Sequence, residues 1–368
     1  MAKVLIFESS NHGHRLDYIV SLVEASIERG FDVTVCCPLG DGKLVQRLDD
    51  QSIEVDRLLL IDHKALEVNY ASYFHRYFSI WKIARKYRPD RICVPTADGL
   101  EYAHLLFSCF GCALRPFLVF GLLRLRFGSG CLRDAIRYAA LQSIKNGRII
   151  HFDEFNFDEL RERYSHIRLA YDPIDILSFS KSSANLDERP LVSELLSFIL
   201  VVGYIDRRKG LLELVKALHC ESESQALSIV VAGVVEPSYK NEVLAALEAS
   251  SCKVDVVWLS EHLTDFEFHR LIQQARMVWV GYKEHSGPSG ILLHAAAYGK
   301  CVIGNQYGWI GRMIEKYGIG YSCEANDPVA VADAITLANQ NPRSLIQSSR
   351  DELIKRHSYG NFTAQFFS

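Results

Sequence analysis

The sequence predicts an α/β protein with two Rossmann-like, doubly wound parallel-sheet domains that face each other across a cleft. At 368 residues the chain is long enough for two domains. Short apolar runs alternate with segments in which apolar residues recur at helical spacing, which is typical of parallel strands joined by helices. This alternation stops at a polar stretch and then resumes. We therefore assign one domain to residues 1–176, a linker to residues 177–194 and a second domain to residues 195–357.

In the first domain, the apolar run at residues 4–7 predicts a buried strand. Apolar residues then recur at helical spacing from Leu16 to Ile27, and Gly30 ends that helix. Further strands are expected at residues 32–37, 55–61, 91–94 and 148–152.

In the second domain, the same alternation predicts strands at residues 198–202, 227–232, 254–259, 277–280 and 300–304. Helices are expected at residues 210–219, 239–249 and 291–298. Because ligands of such sheets bind outside the carboxyl ends of the strands, we expect the functional residues in the loops that follow strands.

The composition excludes several classes of protein. Hydrophobic residues make up 49% and charged residues 23%, which excludes a disordered or collagen-like chain. The formal net charge of -3 gives no global indication of nucleic-acid binding. The N-terminal apolar run ends at Glu8, too short for a signal peptide of about 7–15 apolar residues, and no run approaches the roughly 18 residues of a membrane span.

We therefore expect a cytoplasmic protein whose ten cysteines are free thiols. Cys109 and Cys112 form the only CxxC pair. No second ligand pair accompanies them, so we expect them in the core or in a pocket wall.

The first candidate loop follows the strand at residues 198–202. It begins at Gly203, and Arg207, Arg208 and Lys209 stand where a helix starts. Arginine can clamp phosphate oxygens and lysine adds a point charge, so this loop suits a diphosphate. The alternative is a solvated basic turn.

The second candidate loop follows the strand at residues 277–280. Gly290 allows a ligand close to the backbone, and Ser286 or Ser289 can cap the next helix, which starts near Ile291. His294 lies one turn further along the same face. The alternative is an ordinary capped helix with a half-buried histidine.

These two loops resemble the nucleotide-binding domain of retaining, nucleotide-sugar-dependent GT-B glycosyltransferases (the group 1, family 4-like enzymes). The resemblance covers most of residues 198–337. It rests on a strand followed by Gly-x5-Lys-Gly and a helix, then a Gly/Ser turn before a small-residue helix, then Gly-Lys-Cys-Val-Ile, and then Tyr307-Gly308. It implies the GT-B fold, with the tail at residues 358–368 crossing back onto the first domain.

The resemblance also implies roles for single residues. Lys209 matches a lysine that binds the donor diphosphate, while Tyr204 stands where an arginine is usual, so Arg207 or Arg208 substitutes for it. Two glutamates eight residues apart would contact the donor sugar and the ribose, but Ser286 and His294 occupy their positions. Glu284, two residues earlier, is the remaining carboxylate for the donor. This departure indicates a divergent branch.

Two loops of the first domain complete the candidate site. Gly13 matches a glycine that the family places against the donor phosphates, and His14 and Arg15 start the helix beside it. The alternative for these two is a solvated helix start. After the strand at residues 91–94, Asp98 either orients or deprotonates an acceptor hydroxyl, or caps the helix that starts at Leu100.

Residues 105–127 combine apolar residues with arginines. Seven Arg/Lys and two acids lie within residues 101–150. Such a segment suits an anionic membrane surface or a lipid-linked acceptor, and the alternative is a buried helix pair whose arginines reach solvent.

The resemblance thus implies a hexosyltransferase that uses a nucleoside-diphosphate sugar and an acceptor hydroxyl of a glycan, polysaccharide or lipid-linked acceptor. We expect no metal, because Lys209, Arg207 and the amides near Gly290 stabilise the leaving diphosphate. We expect no nucleic-acid partner, because the formal net charge is only -3. The alternatives are a nucleotide-sugar 2-epimerase of the same fold and a non-catalytic nucleotide-sugar-binding protein.

Overall fold

The computed structural model describes residues 1–10, 14–40, 42–50, 53, 55–63, 73–123, 125, 130–174, 197–219, 227–249, 254–259 and 263–368. The chain divides into two compact units. The first consists of Met1–Asp172 and Tyr359–Ser368, and the second of Pro173–Ser358. The linker predicted at residues 177–194 lies outside the described residues.

The first unit is built on a parallel sheet of seven strands in the order β3-β2-β1-β4-β5-β6-β7. The strands are β1 (Lys3–Phe7), β2 (Asp32–Cys37), β3 (Leu58–Asp62), β4 (Arg91–Val94), β5 (Phe117–Leu122), β6 (Gly147–His151) and β7 (Ile167–Leu169). The helices are α1 (His14–Glu28), α2 (Lys43–Asp50), α3 (Tyr73–Tyr87), α4 (Leu100–Cys109), α5 (Cys131–Ser143) and α6 (Phe157–Arg163).

Strand β1 shows why this sheet lies inside the unit. Leu5 and Phe7 belong to one apolar cluster and Val4 and Ile6 to another, because alternate side chains of a strand point to opposite faces. All four are at most 1% exposed. The uninterrupted apolar run at residues 4–7 therefore reflects a strand covered on both faces.

Strand β5 corrects our interpretation of residues 105–127. The apolar part of that stretch is not an amphipathic surface segment, since β5 pairs with β4 and β6 and its last five residues are buried. The expectation for the CxxC pair is also wrong in part, because Cys109 is exposed at the end of α4. Of the strand predicted at residues 55–61, Val55–Arg57 forms a 3-10 turn instead.

The second unit has a parallel sheet of six strands in the order β10-β9-β8-β11-β12-β13. The strands are β8 (Phe198–Val202), β9 (Ser228–Ala232), β10 (Val256–Leu259), β11 (Met277–Val280), β12 (Cys301–Asn305) and β13 (Gly320–Cys323). The helices are α7 (Leu211–His219), α8 (Pro237–Glu248), α9 (Asp265–Gln274), α10 (Gly290–Ala297), α11 (Gly308–Tyr317), α12 (Pro328–Gln340) and α13 (Gln347–Arg356).

The strand order of the second sheet reverses between β8 and β11. The chain moves from β8 outward to β10 and then returns to β11 on the other side of β8. Loops that leave such a switch point diverge and open a crevice at the carboxyl ends of the strands. The two parallel Rossmann-like sheets confirm the predicted fold class.

The C-terminal helix α14 (Tyr359–Phe367) packs on the first unit. Phe362 is fully buried, and its ring centre lies 4.9 Å from that of Tyr18 on α1. Arg91 at the start of β4 donates a hydrogen bond to the carbonyl of Phe366. The last ten residues therefore contribute to the core of the N-terminal unit.

Candidate functional site at the switch point

The loops after β8 and β11 meet at the carboxyl edge of the second sheet. Gly203 ends β8 with φ 102°, and Arg207–Lys209 form a 3-10 turn capped by Asp206. Gly210 follows with φ 67°, and a β-carbon there would lie 2.6 Å from the carbonyl oxygen of Gly281. Gly210 therefore permits the close approach of the two loops.

Lys209 is the buried cation of this edge, with only 6% of the residue exposed. Its carbonyl accepts a hydrogen bond from Nε1 of buried Trp279 at 2.7 Å, which fixes the backbone. Its Nζ lies 3.4 Å from the carbonyl oxygen of Val202 and 4.0 Å from the ring centre of Tyr282. Among the described residues, no carboxylate forms an ion pair with Lys209.

A buried cation without an anionic partner favours binding of an anion. The carbonyl oxygen and the aromatic face attract the ammonium group but carry no net charge. A ligand phosphate would supply the missing counter-charge in a place where water screens it little. Lys209 therefore has the surroundings expected of an anion-binding lysine.

The two arginines of the loop are placed differently from Lys209. Arg207 is exposed, and its Nη1 lies 2.6 Å from a carboxylate oxygen of Glu242 on α8. Arg208 donates its backbone N–H to Asp206, and its guanidinium carbon lies 5.6 Å from the ring centre of Tyr282. Arg208 thus shares the Tyr282 ring with Lys209, whereas Arg207 points to α8.

Tyr282 and Asn305 are site residues that sequence reasoning missed. Tyr282 is 3% exposed, and its hydroxyl has no hydrogen-bond partner within the described parts of the chain. Fully buried Asn305 donates from Nδ2 to the carbonyl of Tyr282 at 2.6 Å. An aromatic residue and an amide at strand ends carry no charge pattern, so no local sequence signal marks them as site residues.

Glu284 and Ser286 lie on the exposed part of the second loop. Glu284 is exposed, and its φ of 54° is uncommon for a residue with a side chain. Its N–H donates to the hydroxyl of Tyr307. The carbonyl of Ser286 accepts a hydrogen bond from Trp309 at 3.1 Å, which connects this loop to the start of α11.

The start of α10 has the capped geometry predicted for it. Ser289 is the N-cap, and its hydroxyl accepts a hydrogen bond from the N–H of Leu292 at 3.3 Å. Gly290 is the first helical residue and is buried. Half-buried His294 packs edge-on against Phe268 and His269, with ring centres 5.2 and 5.1 Å away.

The structure brings three predicted residues into one place. A β-carbon built on Gly203 would lie 3.6 Å from Cδ1 of Ile291 and 3.9 Å from Nζ of Lys209. The cation of the first loop thus lies close to the first turn of α10. Helix starts carry partial positive charge and unpaired N–H groups, so both features attract an anion.

A cavity of about 390 Å³ opens beside Arg207 and Arg208 of the first loop. Two ion pairs, Lys283 with Glu213 and Arg207 with Glu242, stand in its wall. Its lining consists of Arg207, Arg208, Leu212, Glu213, Tyr239, Glu242, Lys283 and Glu284. Lys209 does not line it, so we take the contacts of Lys209, not this charged groove, as the centre of the candidate site.

In the first unit, Arg15 meets a buried carboxylate. Glu8, fully buried at the end of β1, accepts a hydrogen bond from the hydroxyl of Thr96 at 2.7 Å and lies 3.7 Å from Nη1 of Arg15. Burial raises the pKa of Glu8, and the charge of Arg15 opposes that shift. His14 is exposed at the start of α1, and Gly13 lies outside the described residues.

Asp98 does not occupy the cap of α4. The N-cap is Gly99, with φ 90° and no side-chain cap, and Asp98 accepts a hydrogen bond from the N–H of Leu123 at 3.2 Å. Buried Glu101 accepts from the N–H of Gly99 at 2.7 Å. Burial raises the pKa of Glu101 to about 7, and the charge of Asp98 adds to the shift. Asp98 and Glu101 therefore form a pair of neighbouring carboxylates at this strand end.

The described residues contain no group of three His, Cys, Asp or Glu side chains placed to hold a metal ion. They also contain no helix with the length and apolar character that crossing a bilayer requires.

The two Rossmann-like parallel-sheet units, together with the similarity to solved glycosyltransferase structures given below, identify the GT-B class of fold. Residues 185–357 match the family model described as Glycosyl transferases group 1. The protein is thus a glycosyltransferase whose second unit carries the group 1 domain. No curated protein matches the sequence.

Solved structures resemble the whole chain at low sequence identity. A glycosyltransferase from Rickettsia africae ESF-5 has a TM-score of 0.71 at 15% identity, covering 100% of this chain and 97% of that one. Anabaena HepE in complex with UDP and glucose has a TM-score of 0.67 at 14% identity, covering 99% and 98%. Sucrose-phosphate synthase from Thermosynechococcus elongatus has a TM-score of 0.69 at 16% identity, covering 99% and 97%.

Proposed function

We propose that this glycosyltransferase moves a hexosyl unit from a nucleoside-diphosphate sugar to an acceptor hydroxyl of a glycan, polysaccharide or lipid-linked acceptor. The observation that carries the proposal is the buried ammonium group of Lys209, held beside Gly203 and Ile291 with no carboxylate partner among the described residues. A diphosphate is the part of such a donor that supplies the missing negative charge.

The leaving diphosphate gains negative charge as the glycosidic bond breaks. In this proposal Lys209 and the N–H groups at the start of α10, near Ser289 and Gly290, stabilise that charge, which the proximity of Lys209 and Ile291 to Gly203 supports. These groups do what a divalent ion does in other sugar transferases, and we therefore propose a metal-independent reaction. Retention of the anomeric configuration follows from the resemblance to the retaining enzymes.

Arg207 and Arg208 supplement Lys209 in this proposal. Arg208 already lies over the Tyr282 ring. Arg207 must leave Glu242, which costs little because exposed ion pairs contribute only about 0–1 kcal/mol. For the remaining residues we propose that Glu284 and Ser286 contact the donor sugar and that His294 contacts the ribose.

The complex of Anabaena HepE with UDP supports a uridine-containing donor for a chain of this fold. The first unit then supplies contacts to donor phosphate or acceptor from Gly13, His14 and Arg15. Asp98 orients or deprotonates the acceptor hydroxyl, beside the second carboxyl group of Glu101.

We also propose that the enzyme is cytoplasmic and makes peripheral contact with a membrane. The middle of residues 105–127 is the buried strand β5, so we propose a contact through other parts of that stretch. Among its described residues, the exposed ones are Leu106 and Cys109 on α4 and Phe110, Gly111 and Arg115 in the loop that follows.

A panel of nucleotide sugars tests the proposal. The full chain is incubated with each donor and a mixture of oligosaccharide acceptors, and free nucleoside diphosphate and the sugar product are followed. The proposal predicts diphosphate release that depends on the acceptor, from one or a few donors. Isomerisation of the donor, or binding of a donor without turnover under every acceptor condition, would contradict it.

A further inference from the structure

The exposed apolar residues of the protein concentrate on one part of the first unit. Half of the 14 exposed large hydrophobic residues found among the described residues lie on α3, α4 with its cap, and α5. Six of them form what we call the α3–α5 face: Phe74, Phe78, Leu106, Phe110, Leu132 and Ile136. Clusters of this kind mark interaction surfaces, whereas single exposed apolar residues do not.

The aromatic rings of this face lie in contact across two helices. The ring of Phe78 on α3 lies 5.7 Å from that of Trp81 and 6.5 Å from that of Phe107 on α4. Phe110, at the end of α4, is 76% exposed. The apolar surface therefore continues from α3 to α4.

Cations accompany the rings. Lys82 lies 4.5 Å above the centre of the Phe78 ring, and Arg85 lies 4.7 Å from the centre of the Trp81 ring. Lys86 follows on the same helix, and the sequence of α3, Tyr73–Tyr87, contains no aspartate or glutamate. On α5, Arg133 is exposed between Leu132 and Ile136.

We propose that the α3–α5 face binds the surface of an anionic lipid bilayer. Aromatic and aliphatic groups enter the boundary between headgroups and acyl chains, while lysine and arginine bind lipid phosphates. A second copy of this chain is disfavoured as the partner because two such faces would oppose cation to cation. This inference rests on the peripheral membrane contact proposed above and assigns it a surface and a lipid class. Its residues all belong to the first unit and are separate from the donor loops of the second unit.

Sedimentation with vesicles tests this directly. The full chain is mixed with vesicles of phosphatidylcholine alone or with added phosphatidylglycerol, and the bound fraction is measured. We expect binding to the anionic vesicles only, and weaker binding as salt is raised. Equal binding to both vesicle types, or none to either, would overturn the proposal.

Matched variants locate the surface. Phe74→Ser combined with Phe78→Ser should lower the partition coefficient by roughly tenfold or more, because two rings no longer enter the bilayer. Val329→Ser combined with Ile346→Ser removes two residues that are 61% and 70% exposed in the second unit, and should leave partitioning unchanged. Equal losses in both pairs would contradict the assignment.

Two charge-reversal variants complete the test. Arg85→Glu should reduce binding to anionic vesicles, whereas Arg343→Glu, which removes a cation stacked on Tyr321 in the second unit, should not. If the Phe pair changes the oligomeric state in light scattering and not vesicle binding, the face joins two copies and the proposal is wrong. Vesicle binding needs no donor, whereas the transferase proposal is tested by diphosphate release with a water-soluble acceptor. A failure of one proposal is therefore distinguishable from a failure of the other.

Discussion

The ammonium nitrogen of Lys209 lies 4.0 Å from the centre of the Tyr282 ring, where the loops after β8 and β11 meet. The aromatic face stabilises the cation without neutralising it, so the charge remains available to a ligand. Trp279, whose indole N–H donates to the carbonyl of Lys209, fixes the backbone of the same residue. Lys209 is thus positioned before any donor binds.

Two substitutions of Tyr282 should distinguish the effect of its ring on turnover from the effect of its hydroxyl. Tyr282→Leu removes a cation–π contact of about 0.5–2 kcal/mol and should lower donor turnover by roughly tenfold. Tyr282→Phe keeps the ring and should leave turnover near that of the unaltered protein, because the hydroxyl has no partner among the described residues. Steady-state rates of diphosphate release check both variants. If Tyr282→Phe loses as much as Tyr282→Leu, the hydroxyl itself binds the ligand.

Glu101 should make the first unit less stable as pH rises. Its pKa increases from 4.5 to about 7 because burial disfavours the charged form, so the folded state holds a proton that the unfolded state has lost between these values. The contribution of Glu101 to the free energy of unfolding is fully present below about pH 4.5 and is lost as pH rises towards 7. It amounts to about 3 kcal/mol. Urea unfolding between pH 4.5 and 8 measures it.

The matched variants for this prediction are Glu101→Gln and Glu162→Gln. Glutamine at position 101 still accepts the hydrogen bond from Gly99, but it does not titrate, so stability should vary less with pH. Glu162 is exposed, and its replacement should leave the pH dependence as it is. An unchanged slope in Glu101→Gln would show that Glu101 does not titrate in this range.

The C-terminal helix should be required for the stability of the first unit. Phe362→Ala removes a fully buried ring that stacks on Tyr18, and should cost about 3–5 kcal/mol. Leu337→Ala, at a residue that is 51% exposed in the second unit, should change stability by about 0.5 kcal/mol or less. Denaturant unfolding monitored by circular dichroism checks both. A Phe362→Ala protein as stable as Leu337→Ala would contradict the packing of α14.

Strands such as β1 and β8 could be predicted because each is an apolar run that lies between helices and is buried on both faces. Strand β5 was missed since arginines flank it, and the sequence does not show that its apolar residues pair with β4 and β6.

In the site, Lys209, Gly203 and Ser289 were predicted from their positions at strand and helix ends. The pairing of Arg207 with Glu242 depends on a residue 35 positions away, and the contact of Tyr282 with Lys209 depends on two separate loops. Contacts of this kind arise from the fold and leave no local pattern.

The central claim is that Lys209 stabilises the departing diphosphate, and its removal is the most direct test. Lys209→Ala should lower acceptor-dependent diphosphate release by about 100–1000-fold, or about 2.7–4 kcal/mol of barrier, while circular dichroism shows a folded protein. Lys355→Ala removes an exposed lysine of α13 and should leave the rate unchanged. A folded Lys209→Ala protein that releases diphosphate at the rate of the unaltered chain would contradict the account.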